Sequence, residues 1–225
     1  MRPKNALRPM FSYYGSKWQA APKYPAPEHG VIIEPFAGSA GYSLNYPDRD
    51  VYLIDADPNI VRLWEYLIHV DPEEILSLPL LSVGESLLDF DLTDDQMLFL
   101  GFWANAASPR PSNIKSKLEG TWKESFRTRV AKQVPYIRHW QVAHASYADL
   151  KNVDATWFVD PPYQKKGRYY SYSAIDYQHL GAWCRGRKGQ VIACENAGAA
   201  WLPFTFAYNM KGQTHRKSTE VMWVK

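Results

Sequence analysis

Short apolar runs separated by turn residues recur along the chain. The first two cover residues 31–33 and 51–54, and each ends in a carboxylate, at Glu34 and at Asp55. Runs of this length, bounded by Pro and Gly, are typical of buried strands. After the second run, Pro58 opens a segment whose apolar residues repeat with helical spacing. The order of strand, loop, helix, strand and helix predicts the beginning of a doubly wound α/β sheet.

The same pattern returns in the last third of the chain. A third apolar run, residues 156–159, ends at Asp160, and a fourth covers residues 190–194. Apolar and polar residues alternate over 204–208 and 220–224, which predicts a terminal β-hairpin. The predicted strands that end in an acid bring their carboxylates to the carboxyl edge of the sheet, where open α/β folds bind ligands.

Residues 71–140 interrupt this pattern. The segment is acidic at first, with a helix predicted over 93–103 and Thr93 as its N-cap, and then becomes basic and loop-like. We therefore expect one domain formed by residues 1–70 and 141–225, with residues 71–140 as an inserted region.

Charge changes this picture more than overall composition does. The formal net charge of the 225 residues is only +3, but residues 107–140 carry eight basic and two acidic side chains. This segment is either a surface for a polyanion or a solvated helical face. Aromatic residues make up 15% of the chain, and these rings either fill the core or provide stacking platforms for bases.

The two cysteines, Cys184 and Cys194, match no zinc-binding spacing. We expect two free thiols in a reducing compartment and no metal site. Residues 1–11 contain no apolar core of signal-peptide length, and no stretch reaches the length of a membrane span. The sequence therefore predicts a cytoplasmic protein without a membrane partner, either a monomer or a weak dimer.

Asp160-Pro161-Pro162-Tyr163 is the motif that carries chemistry. Proline fixes its own φ and restricts the residue before it, so the turn after the third strand is stiff. The carboxylate of Asp160 and the carbonyl of Pro161 are two fixed acceptors for the N–H bonds of an aromatic amine such as that of adenine. Such contacts would aim a weakly nucleophilic nitrogen at an incoming methyl group, with Tyr163 stacked on an extruded base. Alternatively, the four residues form only a turn.

Residues 34–41 predict a ligand-cradling loop. Gly38 and Gly41 allow close backbone approach, and Glu34 could attract a positively charged group. The alternative is a plain tight turn. Asp55 is predicted to accept hydrogen bonds from ribose hydroxyls, with Asp57 as the cap of the following helix.

Near the start, residues 11–18 are predicted either to form an ordered turn or to fold back over a ligand. In the second interpretation, Lys17 reaches a carboxylate of that ligand.

These segments together resemble the Dam-like DNA adenine methyltransferases, the DPPY-type alpha group with many phage and prophage members. The resemblance rests on YYGSKW, EPFAGSAG, LIDADPN, WFVDPPY and RKSTEVMWVK, in that order. It implies a Rossmann-like seven-stranded methyltransferase sheet, S-adenosylmethionine as the cofactor and methyl donor, and transfer to the N6 amino group of adenine in DNA after base flipping. It also implies that residues 71–140 hold the target-recognition region, and that a phage-encoded member would act in the cytoplasm of its bacterial host. Restriction protection and regulation are both compatible roles.

The resemblance also implies a set of site residues. The catalytic turn is Asp160, Pro161, Pro162 and Tyr163. The cofactor contacts are Tyr14, Gly15, Lys17, Glu34, Pro35, Phe36, Gly38, Ser39, Gly41, Asp55, Asp149 and Asp160.

Two segments are predicted to contact DNA. The first is the basic part of residues 71–140, with Lys123, Arg127 and Arg129 near the rings of Trp122 and Phe126. The second follows the catalytic turn and contains Lys165, Lys166, Arg168 and Tyr169. Either segment could instead be a solvated loop or helix.

Four functions remain open on the sequence. The main expectation is a DNA adenine-N6 methyltransferase, of either defined or low sequence specificity. A second is an amino methyltransferase for RNA adenine or for the N4 position of DNA cytosine. A third is a catalytically inactive DNA-binding homologue. A fourth, a dinucleotide-dependent oxidoreductase, is disfavoured because no G-x-G-x-x-G motif follows the first strand.

Overall fold

The computed structural model describes residues 2–105, 108–116, 122–164, 170–211 and 217–225. Within these ranges seven strands form one sheet, in the order β3-β2-β1-β4-β5-β7-β6. The strands are β1 (Val31–Glu34), β2 (Asp50–Asp55), β3 (Gln141–His144), β4 (Ala155–Val159), β5 (Gly189–Asn196), β6 (Thr205–Lys211) and β7 (Lys217–Val224). Strand β7 is antiparallel to both β5 and β6, and the other neighbouring strands are parallel. The predicted α/β class and the terminal hairpin are therefore confirmed, and the sheet is compatible with a Rossmann-like fold.

Five α-helices accompany the sheet in the described ranges: α1 (Pro58–His69), α2 (Pro72–Ser77), α3 (Asp94–Ala104), α4 (Glu124–Gln133) and α5 (Tyr177–Gly186). Both predicted caps are confirmed. The Asp57 side chain accepts from the amide of Asn59, and Thr93 forms a reciprocal capping box with Gln96. In the part of the chain that the structure describes, no helix combines the length and the apolar character needed to cross a bilayer.

Both faces of the sheet are covered by apolar side chains. Ile32 and Phe158 belong to a cluster that packs against α1, α3 and α4, whereas Ile33 and Trp157 belong to a second cluster with α5. Successive side chains of a strand point to opposite faces, so the unbroken apolar runs of β1 and β4 fill both clusters. This is why the runs are continuous rather than alternating.

Several buried residues of the 71–140 segment belong to the first cluster, together with β1 and β2. Phe99 and Val130 are fully buried there. Trp122 is 2% exposed, its ring lies against Phe99 and Trp103, and its Nε1 donates to the carbonyl of Pro79. Of the two interpretations of the aromatic residues, core filling therefore applies to the ring of Trp122.

Two secondary-structure elements differ from those that the sequence predicts. Strand β3 was not predicted, because its residues are mostly exposed and carry little apolar periodicity. The helix predicted between the first two strands is only a single 3-10 turn at Ser43–Asn45. Cys184 and Cys194 are both buried and free, as predicted.

Candidate functional site

A cleft of about 390 Å³ opens at the carboxyl edge of the sheet, between the loops that follow β1 and β4. Strand β1 pairs with β2 on one side and with β4 on the other, so the strand order reverses direction here. Such switch points bind ligands in open α/β sheets, and the volume suits a small organic molecule. The walls come from residues 13–17, 34–39, 41, 55–57, 145–147, 158, 160, 162 and 170–175.

Glu34, the last residue of β1, lies at the base of this cleft and is 2% exposed. Its Oε1 accepts a hydrogen bond of 2.8 Å from the amide of Ser43. Burial raises the pKa of Glu34 to about 8, and this hydrogen bond only partly offsets the effect. Glu34 is therefore mainly protonated at neutral pH, and a positive group in the cleft would favour its ionised form.

The loop after β1 has an unusual backbone. Gly38 and Ala40 have positive φ angles of 44° and 48°, a region that costs free energy for alanine. The loop is held by Trp64, whose Nε1 donates to the carbonyl of Gly38 over 2.8 Å. The hydroxyls of Ser39 and Ser16, both at the cleft wall, are buried and have no hydrogen-bond partner among the described residues. Buried polar groups normally have partners, so these two hydroxyls favour a ligand in the cleft.

Asp55, at the end of β2, connects two of the loops. Its carboxylate accepts from the amide of Gly38 and from the amide of Asp57, both over 2.9 Å. Burial raises the pKa of Asp55 to about 6, against the opposing effect of these amides. The carboxylate is thus ionised above neutral pH, fixed in orientation and located at the cleft wall.

The amino-terminal segment packs directly on the glycine-containing loop. A Cβ atom at Gly41 would lie 2.5 Å from the amide nitrogen of Trp18 and 2.8 Å from that of Lys17. A Cβ at Gly38 would lie 3.0 Å from the ring of Tyr13. Glycine at position 41 is therefore required by close backbone contact, and residues 11–18 pack over this loop.

Residues 14 and 15 meet the far wall of the cleft. The hydroxyl of Tyr170 donates to the carbonyl of Tyr14 over 3.3 Å, and the two rings are 5.9 Å apart. Gly15 has a φ of 75°, and a Cβ there would clash with the hydroxyl of Tyr170. These contacts join the amino-terminal segment to the chain that follows the turn at residues 160–163.

Lys17 is 7% exposed and points at carboxylates of the protein itself. Its Nζ lies 2.9 Å from Oδ1 of Asp160 and 3.7 Å from Oε1 of Glu220. Burial opposes the charge of Lys17, but Asp160 and Glu220 outweigh it and raise the pKa of the ammonium. A fixed cation therefore sits beside the turn that follows β4.

Asp160 and Pro162 line the cleft, directly after β4. Burial and the neighbouring Glu220 raise the pKa of Asp160 to about 6, although Lys17 acts in the opposite direction. The carbonyl of Pro162 accepts from the hydroxyl of Tyr177, which anchors the turn to α5. Tyr163 is half-buried behind the turn, and its hydroxyl donates to Glu220.

The walls near β3 contain a residue that the sequence did not indicate. Tyr147 lies in the 3-10 turn Tyr147–Asp149, its ring is 5.4 Å from that of Phe36, and its hydroxyl bonds Nδ1 of His179 over 2.9 Å. Phe36 and Tyr147 both line the cleft, whereas Asp149 is exposed and outside its lining. The only available signal for Tyr147 was its position two residues before Asp149.

The residues predicted to contact DNA have diverse environments. Lys165, Lys166, Arg168 and Tyr169 lie outside the described residues. Lys123 is exposed, whereas Arg127 donates to the carbonyl of Leu78 over 2.8 Å. Arg129 donates to the carbonyl of Pro9 over 3.0 Å and lies 4.6 Å from the centre of the Phe126 ring. Of these three residues only Lys123 is exposed, and its Nζ lies 5.1 Å from the centre of the Phe126 ring.

The fold and the cleft define a class: an α/β protein with a seven-stranded, mostly parallel sheet in the described residues and a candidate small-molecule site at its switch point. Neither a scan against protein-family models nor a search of curated proteins gave a match to the chain.

Proposed function

We propose that the protein is an S-adenosylmethionine-dependent methyltransferase that modifies the N6 amino group of adenine in DNA. The observation that supports this most is the position of Asp160 and Pro162 in the cleft at the switch point. The stiff, acceptor-bearing turn shares this cleft with the carboxylates that end β1 and β2. This combination suits a reaction between a bound cofactor and an amine held at the turn.

The residues of the cleft fit the cofactor. The buried carboxyl of Glu34 and the fixed carboxylate of Asp55 suit the amino group and the ribose hydroxyls. The hydroxyl of Ser39, which has no partner among the described residues, suits a polar atom, and the rings of Phe36 and Tyr147 suit the adenine portion. When bound, S-adenosylmethionine supplies an electrophilic methyl group.

The contribution of the turn is orientation and charge. The amino group of adenine shares its lone pair with the ring and is a poor nucleophile. The carboxylate of Asp160 and the carbonyl of Pro161 each accept one N–H bond, which directs the lone pair away from the ring plane. Methylation leaves one proton too many on the nitrogen, and the nearby Asp160 carboxylate can hold it before its release to water.

A flipped base is the geometry that reaches this turn, because the amino group of a stacked adenine is inaccessible to a cleft. Tyr163 is part of the turn and Tyr170 lines the same cleft, and Lys123 offers an exposed cation for phosphate contact. Lys165, Lys166, Arg168 and Tyr169 remain predicted DNA contacts from the sequence.

The test is incubation of the purified protein with methyl-labelled S-adenosylmethionine and, in separate reactions, plasmid DNA, single-stranded DNA or RNA. Digestion and mass analysis identify the modified base. We expect N6-methyladenine in DNA. Label in cytosine or only in RNA would replace the substrate assignment, and cofactor binding without transfer to any nucleic acid would reject the proposed activity.

A further inference from the structure

Glu220, on β7, is a fully buried carboxylate at the back of the catalytic turn. Its Oε1 accepts hydrogen bonds from the hydroxyls of Tyr163 and of Tyr24, the second over 2.9 Å. The same oxygen lies 3.7 Å from Nζ of Lys17. One carboxylate oxygen therefore accepts hydrogen bonds from Tyr24 and from Tyr163, in the turn after β4, and lies close to the ammonium of Lys17.

A carboxylate buried in this way is expected to destabilise the fold unless it has a function. Burial of a carboxylate costs several kcal/mol, and an ion pair in the interior often stabilises no more than apolar residues of equal volume. Oε2 of Glu220 has no hydrogen-bond partner among the described residues. Neighbouring positions in this part of the sheet are filled by rings, with Tyr24 packed edge-to-face against Phe158 and Tyr208. Packing alone therefore gives no reason for a carboxylate at position 220.

We propose that Glu220 is a positioning residue for the catalytic turn. It fixes the ring of Tyr163 through the phenolic hydroxyl, and it shares the ammonium of Lys17 with Asp160. This inference rests on the proposed function, because it assigns Glu220 a role in the transfer step at Asp160. It goes beyond that function in assigning control of the turn to a residue that does not line the cleft.

The shared ammonium couples Glu220 to the charge of Asp160. Oxygen atoms of the two carboxyl groups lie within 4.8 Å of each other, and Lys17 contacts both. The titratable or charged groups that face Asp160 are Lys17, Tyr13 and Tyr24 from the amino-terminal segment, Glu34 on β1, Cys194 on β5, Glu220 on β7, and Tyr163 and Tyr170 after the turn. Burial raises the pKa of Tyr24, Tyr163 and Cys194, so these groups are neutral at physiological pH. The electrostatic field at Asp160 therefore comes mainly from the charges of Lys17 and Glu220, and from Glu34 when it is ionised.

Two substitutions of Glu220 distinguish the effect of the position of its carboxyl group from the effect of its charge. Glu220→Gln keeps an acceptor for Tyr163 but removes the charge, so Lys17 pairs with Asp160 alone. We expect the acidic limb of the kcat–pH profile to move to lower pH. Glu220→Asp keeps the negative charge but shortens the side chain by one methylene, which moves the carboxylate away from its contacts. We expect kcat to fall by about tenfold or more, with the KM for cofactor within about threefold, as for a misplaced reacting group.

The matched control is Glu74→Gln. Glu74 also accepts from a tyrosine hydroxyl, that of Tyr66 over 3.0 Å, but it lies on α2, away from the cleft. We expect wild-type kcat and an unchanged pH profile for this variant. Should Glu220→Gln fail to fold, Tyr163→Phe removes the hydrogen bond to Glu220 while leaving both carboxylates in place. Its kcat is expected to fall without the move of the acidic limb to lower pH, because the Tyr163 hydroxyl itself lowers the pKa of Asp160.

A second measurement, the titration of Asp160 itself, does not depend on methyl transfer. Carbon-13 NMR of labelled aspartate, with the Asp160 signal assigned by Asp160→Asn, follows its titration in the cofactor-free protein. A lower midpoint in Glu220→Gln supports the coupling even if wild-type protein proves inactive on DNA, which would reject only the proposed function. An unchanged midpoint together with wild-type kcat in both Glu220 variants would overturn the inference.

Discussion

The ammonium of Lys17 lies 2.9 Å from Oδ1 of Asp160, so the amino-terminal segment supplies the counter-ion of the residue that begins the double-proline turn. Both side chains are largely withdrawn from water, at 7% and 18% exposure. Lys17 was expected to reach a carboxylate of the cofactor. Its position beside Asp160 gives the same residue a direct influence on the turn.

Substitution Lys17→Met should destabilise the protein in a pH-dependent manner. It leaves Asp160 and Glu220 as close, buried carboxylates without their cation, and loss of one member of a buried pair costs roughly 3–5 kcal/mol. In the variant, burial holds the pKa of Asp160 above its unfolded value without the opposing effect of Lys17. The folded protein then holds an extra proton, and its stability falls as pH rises from about 4 through the raised pKa.

Denaturant unfolding at pH 5.5 and pH 7.5 measures this effect, and we expect the larger loss at pH 7.5. Lys123→Met, at an exposed position, should change the free energy of unfolding by less than about 0.5 kcal/mol at both pH values. Equal losses for Lys17→Met at the two pH values would argue against the charge-based explanation.

Asp160→Ala and Asp55→Asn should impair different steps, methyl transfer in the first variant and cofactor binding in the second. Asp160→Ala removes an acceptor for the reacting amine, so methyl transfer should be abolished while cofactor binding stays detectable. Asp55→Asn weakens a contact to the cofactor, and its dissociation constant should rise by about tenfold or more, the cost of one hydrogen bond to a charged group. Calorimetric titration with cofactor and single-turnover transfer separate the two effects. Wild-type-like turnover in Asp160→Ala would contradict the proposed role of the turn.

Cofactor affinity should increase with pH up to about pH 8. Burial raises the pKa of Glu34 to about 8 in the free protein, and a cationic ligand favours the ionised carboxylate. Binding therefore requires loss of a proton below this pH, and affinity should fall by up to about tenfold per pH unit from 8 to 7. Asp55 and Asp160, each with a pKa of about 6, remain mainly ionised across this window.

Titrations of S-adenosylmethionine between pH 7 and pH 9 test this dependence. S-adenosylhomocysteine lacks the sulfonium charge but keeps the amino group that Glu34 is proposed to bind, so it should show the same dependence. Glu34→Gln cannot ionise and should bind with a pH-independent, lower affinity. An unaltered pH slope in Glu34→Gln would assign the dependence to another group.

Gly41→Ala should displace the amino-terminal segment. The new methyl group would lie 2.5 Å from the amide nitrogen of Trp18 and 2.8 Å from that of Lys17, and backbone atoms cannot rotate out of the way. Because Lys17 would move with this backbone, we expect lower stability, by about 1–3 kcal/mol as for other overpacked sites, and weaker cofactor binding. Gly30→Ala is the control, since a Cβ there meets no atom within 4 Å. Thermal unfolding and calorimetry give the comparison, and similar behaviour of the two variants would refute the close-contact argument.

The sequence determined those features that depend on neighbours along the chain. The apolar runs that became β1, β2, β4 and β5 are local signals, as are the caps at Asp57 and Thr93 and the stiffness of a double proline after Asp160. Hydrophobic periodicity and backbone restriction act over a few residues and can be interpreted without a fold.

Only the tertiary structure decided which groups meet. The exposed strand β3 depends on pairing with β2 rather than on its own composition, and Tyr147 reaches the cleft because β3 ends there. The pairing of Lys17 with Asp160 and Glu220 joins the two ends of the chain through the order of the strands. The burial and the neighbouring charges that shift the pKa values of Lys17 and Asp160 are properties of the folded packing, so local patterns in the sequence cannot contain them.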